Sequence, residues 1–131
     1  MVKWFVEEER SADVERLRRD ATGAVSQLTQ VELVSALARR HREGAISSEA
    51  LKDLVTTSTE ALDSVLVVGL SEAVTDRARD LLLRQPLRAA DAIQLASCLD
   101  LQGRLQETVR FLAFHQRLNE AAASEGLTLA V

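Results

Sequence analysis

The chain has 131 residues, 47% hydrophobic and 27% charged, with a formal net charge of −4 and a pI near 5.2; that suits one folded domain with a real core, not a disordered chain. Its longest apolar run, residues 65–70, is far short of the roughly 18 residues a membrane span needs, no secretory leader opens it, and a single cysteine excludes an internal disulfide, so a cytoplasmic protein is the simplest fit. The acidic balance argues against nucleic-acid binding through a general basic field, though not against a local basic rim with bound divalent cations.

In chain order, the apolar residues 2–6 run into Glu7, Glu8 and Glu9, and Ser11 suits the N-cap of a helix reaching about Asp20. GAVSQL, residues 23–28, predicts a short strand. Thr29 then opens a long helix with Val31, Val34, Leu37 and Ala38 along one face, and Gly44 stands where a stop is expected. A second helix begins at Ser47 or Ser48, with Leu51, Leu54 and Val55 on one side. VLVVG, residues 65–69, predicts a buried strand, because its β-branched residues do not alternate with polar ones. Ser71 caps a helix with Val74, Ala78, Leu81 and Leu82 spaced for burial, and Pro86 ends it. A helix over 88–101, a strand over 109–113, a helix over 116–125, a stop at Gly126 and a strand over 127–131 follow. Helices alternating with short apolar strands predict an α/β fold with a parallel sheet of about four strands, three-layer α/β/α, in a single domain over residues 1–131.

Two carboxylates stand out. Glu32 lies just after a predicted strand, at the kind of strand–helix junction where ligands gather in open α/β sheets. It also reads as half of a capping box with Thr29, bonding back to that residue's N–H. Asp91 falls in the first turn of a mostly apolar helix, where the dipole alone would favour an acid. Ala89, Ala90, Ala92 and Ile93 leave little polar surface around it, so its carboxylate is expected to face a specific site. Arg39, Arg40, His41 and Arg42 complement the C-terminal end of their own helix. Lys3, Arg88 and Arg117 are the better candidates for a substrate-binding rim. Trp4, Phe5, Phe111 and Phe114 read as core or dimer-contact residues, and Cys98 as a small buried one. There is no Gly-rich phosphate loop, Cys/His zinc pattern or nucleophile–His–acid arrangement.

The stretch LRAADAIQLASCL (87–99), followed after a short gap by VRFLAFHQRLNEAAASEGL (109–127), resembles the second half of a PIN domain. PIN domains are small metal-dependent ribonucleases, best known as the VapC-like toxins of toxin–antitoxin pairs. The most specific match is to a pattern of the form L-R-x-x-D-A-x-x-L-A, whose aspartate falls on Asp91. The resemblance implies a carboxylate cluster binding Mg²⁺ or Mn²⁺, with Glu32 and Asp91 catalytic and metal-binding. His115 stands where that family has an acidic ligand, and Ala113 where it has a hydroxyl. A neutral imidazole suits transition metals better than hard Mg²⁺, so His115 reads either as a lost ligand or as the third residue of a changed, weakened metal site with Glu32 and Asp91.

The family's first strand ends in a pattern like D-x-S-A-L-V-K, and here Met1, Val2 and Lys3 fall inside it. The resemblance therefore implies that the first strand and its aspartate are missing. Met1 is then either an internal methionine of a longer reading frame or the start of a degenerate paralogue kept for binding. The implied function is an endoribonuclease lineage, a VapC-like toxin with an incomplete acidic site and weak or absent activity. The alternative is a catalytically inactive PIN-like binding or assembly module; an unrelated α/β domain is a third reading. Implied partners are RNA, an antitoxin-like protein and a second copy of the chain. A homodimer, including exchanged elements, would use residues 2–6 and the helix after Ser47 to complete the sheet.

Overall fold

A computed structural model describes the backbone of residues 3–6, 23–63, 65–106, 109–112 and 116–129, and the side chains of these except 3–6 and 112. Five strands, β1 (Lys3–Val6), β2 (Gly23–Ser26), β3 (Leu66–Val68), β4 (Val109–Leu112) and β5 (Thr128–Leu129), form one sheet in the order β3-β2-β1-β4-β5. Every pairing is parallel. The α/β class with a parallel sheet is as expected; the missing first strand is not.

Residues 3–6 fill the central position. Trp4 and Phe5 pair with Gly23 and Ala24 on one side, while Lys3 to Val6 pair with Val109 to Leu112 on the other. The reason lies in composition: a Trp-Phe-Val run has strong β propensity, and the middle of a parallel sheet, covered on both faces, demands uninterrupted apolar residues. With that position occupied the sheet is continuous. The reason for expecting a strand exchanged between two chains is thereby removed.

Five helices are described: α1 (Gln27–Arg42), α2 (Ser48–Leu62), α3 (Glu72–Arg84), α4 (Ala89–Leu105) and α5 (Gln116–Ser124). Ser71 Oγ accepts the Val74 N–H at 3.2 Å, so the predicted cap forms, and Ser47 Oγ accepts the Ala50 N–H at 3.0 Å, which makes Ser47 the cap and Ser48 the first residue of α2. α1 starts earlier than expected. Ser26 ends β2 in an extended conformation and accepts the Leu28 N–H at 3.2 Å, which makes it the cap and places Thr29 inside the first turn. Gly44 (φ +79°) and Gly126 (φ +90°) close α1 and α5. In each case the following N–H reaches back to the helix, Ala45 to the Arg40 carbonyl at 2.9 Å and Leu127 to the Ala122 carbonyl at 3.0 Å. This left-handed closure suits glycine because it has no Cβ to clash. α4 runs to Leu105, past the expected end at 101. The helix expected after Ser11 lies outside the described residues.

Leu95, Ala96, Cys98 and Leu99 of α4 form the core with Val74 and Leu81 of α3, Phe111 of β4 and Leu118 of α5. The Val109 N–H donates to Gln102 Oε1 at 3.2 Å, setting the last turns of α4 level with the start of β4. Three burial expectations are corrected. β3 is an edge strand, so Leu66 is 47% exposed and only Val68 is buried. Leu82 faces outward beside buried Leu81. Val31 is 67% exposed and Val34 is exposed as well, because the α1–α2 hairpin stands away from the core: Thr29 is the buried residue of α1, and Ala61 and Leu62 those of α2. Among the described residues no helix is long and apolar enough to cross a membrane.

Candidate functional site

Two polar stripes meet where α1 leaves the sheet. Ser26, Thr29 and Glu32 recur every third residue from the cap of α1. Asp91, Gln94 and Ser97 do the same from the first turn of α4. Residues spaced by three share a helix face. Ser97 Oγ lies 3.3 Å from Ser26 Oγ, and Gln94 Nε2 donates to Thr29 Oγ1 at 3.3 Å and to the Glu32 carboxylate. The stripes therefore run in opposite directions. Beyond Gln94, on the side toward which Glu32 extends, the next member is Asp91. It stands one turn away, with i and i+3 Cβ atoms roughly 5–6 Å apart.

Burial is graded along this seam. Ser26, Thr29, Gln94 and Ser97 are all at 0% exposure and are the buried polar residues among those described. Glu32 and Asp91 are half-buried. Ser97 is level with the end of β2 and Gln102 with the start of β4, so the first turns of α4 project beyond the C-terminal edge of the strands. That is the edge at which open α/β sheets bind ligands. The base of the seam is sealed from water, and its carboxylates lie toward the opening.

The expected capping box is not the outcome. Ser26 takes the cap, and the Glu32 carboxylate accepts from Gln94 instead of closing on the Thr29 backbone. Of the expected rim residues, Arg88 is the exposed N-cap residue of α4 and Arg117 is exposed in the first turn of α5. α5 follows β4 and returns to β5, so both arginines belong to the C-terminal edge. Lys3 pairs with Val109, the first residue of β4, which puts its backbone at the opposite edge, roughly 10 Å of strand away. His115 and Ala113 lie outside the described residues. His41 is held at the far end of α1, with Nδ1 3.0 Å from the Ile46 carbonyl.

Glu32 and Asp91 offer hard oxygen donors, and Mg²⁺ is commonly held by one or two carboxylates with water and phosphate. Among the described residues no group of three or more His, Cys, Asp or Glu could hold a metal, so Glu32 and Asp91 would supply two protein ligands at most from that set. Sequence reasoning passed over Gln94 and Ser97. The signal was present: Asp91, Gln94 and Ser97 are evenly spaced polar positions in an otherwise apolar helix.

A family model described as PIN domain matches residues 1–109. The chain belongs to the PIN domain family. The match takes in β1 to β3 and α1 to α4, and therefore both carboxylates and the whole polar seam of this PIN domain. PIN domains form a nuclease superfamily that generally depends on divalent metals. No curated protein matches the chain.

Proposed function

We propose that this PIN domain is of the endoribonuclease lineage and VapC-like, with Glu32 and Asp91 as its metal-holding carboxylates and a depleted ligand set that leaves catalysis weak. The observation that carries this reading is the bond from Gln94 to Glu32, which brings the side chain of Glu32 onto the helix face that bears Asp91 one turn away. A divalent cation at that position would activate water and offset charge on a phosphodiester. The chain's own part is to carry the two carboxylates within about a helical turn of each other at the strand edge and to exclude water beneath them, through the sealed serine, threonine and glutamine contacts. Arg88 and Arg117, both exposed, can attract the phosphate backbone of a single-stranded RNA without fixing its sequence.

The same reading includes an antitoxin-like partner and self-association. Exposed Val31 and Val34, one turn apart on the projecting α1, supply apolar surface for such a contact. The test is cleavage of single-stranded RNA with Mn²⁺ or Mg²⁺, compared between the chain and Asp91→Asn. Slow cleavage that needs the metal and is lost in Asp91→Asn is the expected result. Metal binding with no cleavage at all would favour the inactive binding module, and metal-independent cleavage would overturn the assignment of the site.

A further inference from the structure

We infer that Gln94 is a positioning residue for the metal-holding carboxylate of Glu32; this rests on the functional reading above and extends it to a residue outside the acidic set. Gln94 is fully buried, on the α4 turn that follows Asp91. Its Nε2 donates to Glu32 and lies 3.3 Å from Thr29 Oγ1. An ionised carboxylate can only accept, so the amide must turn its NH₂ toward Glu32. The consequence is visible on the other side of the amide, where Gln94 Oε1 is buried without a hydrogen-bond partner.

That orphaned acceptor makes a purely structural role a poor explanation. Six of the seven residues from Ala92 to Cys98 are buried, and most of them are apolar. An apolar side chain of similar length at position 94 would fill the space without stranding an oxygen. What the glutamine supplies and an apolar residue cannot is a fixed donor on Glu32. Groups that bond to metal-ligating side chains restrict their orientation, and their loss typically weakens metal affinity about 10–100-fold. Gln94 thus couples the two carboxylates: the helix that carries Asp91 also holds Glu32 in place.

The test titrates Mn²⁺ into the full chain and into Gln94→Met, Gln94→His, Glu32→Gln and Asp91→Asn, following the free-ion signal by electron paramagnetic resonance. The melting temperature of each metal-free protein is measured in parallel. Methionine keeps length and bulk without a donor, while the Nε2–H of a histidine reaches about as far as the glutamine amide. Gln94→Met should melt no lower than the parent yet bind Mn²⁺ about 10–100-fold more weakly, and Gln94→His should recover most of that loss. Should Gln94→Met melt low, Gln94→Leu takes its place in the comparison. If Glu32→Gln loses Mn²⁺ but the donor-free variants bind like the parent, the inference on Gln94 fails and the metal site stands. If the parent does not bind Mn²⁺, or Glu32→Gln and Asp91→Asn bind it undiminished, the functional reading fails and takes the inference with it.

Discussion

The hydroxyl oxygens of Ser26 and Ser97 lie 3.3 Å apart at full burial, joining the last residue of a strand to the third turn of a helix 71 residues later in the chain. Ser97 Oγ is also 2.7 Å from the Ile93 carbonyl, which takes its one proton. Its oxygen is then left to accept from Ser26, while Ser26 Oγ in turn accepts the Leu28 N–H at 3.2 Å. One short chain of hydrogen bonds caps α1 and fixes α4 against it.

Ser26→Ala should therefore cost more than an exposed cap. Loss of an N-cap side chain is worth about 0.5–2 kcal/mol, and here it also strips Ser97 of a buried donor. A destabilisation near the upper end of that range is expected in urea unfolding. A change below about 0.5 kcal/mol, the bottom of the cap range, would show that the Ser26 hydroxyl contributes little.

A second prediction concerns the ends of α3 and α5. Arg84 Nη2 donates to Glu125 Oε1 at 2.8 Å and Gln85 Nε2 donates to Glu125 Oε2 at 3.0 Å. These bonds, Arg84's first, hold the Glu125 carboxyl below its ordinary value of 4.5. A folded-state value below the unfolded one stabilises the protein above the ordinary carboxylate range, and the effect is lost as pH falls through the folded value. Glu125→Gln should lower the melting temperature at pH 7 and do so much less at pH 3. An equal effect at both pH values would remove the ionised carboxylate from the explanation.

Cys98 is completely buried, and burial pushes its thiol well above the ordinary range. Since the thiolate is the reacting species, an aromatic disulfide reagent should leave the native chain unlabelled and titrate one thiol in denaturant. Rapid labelling of the native chain would mean that α4 opens far more readily than its packing suggests.

The fourth prediction addresses the ligand set. A carboxylate suits Mg²⁺ and Mn²⁺ better than an imidazole, so His115→Asp should raise Mn²⁺ affinity if position 115 serves the site. Isothermal titration of the parent and the variant decides this. Unchanged affinity would confine the metal-holding residues to Glu32 and Asp91.

Much of the fold was legible because the relevant signals are local. Ser47 and Ser71 cap their helices by satisfying an N–H three residues away, Pro86 cannot continue a helix, and Gly44 and Gly126 adopt left-handed closures that other residues resist. Asp91 could be singled out for the same reason, as an acid in the first turn of an apolar helix. What only the tertiary structure decided is where each element lies relative to others distant in the chain. Residues 2–6 read as a short apolar segment, and only the flanking β2 and β4 make residues 3–6 a central strand; residues 65–69 read as a buried strand although β3 lies at the edge. Val31 and Val34 have helical spacing for burial, but no layer covers α1 at those positions. Glu32 read locally as half of a capping box, but its carboxylate takes a glutamine 62 residues away as its donor. Caps and stops are settled within a few residues by backbone hydrogen bonds and steric limits, whereas burial and side-chain partnership depend on which faces the completed sheet brings together.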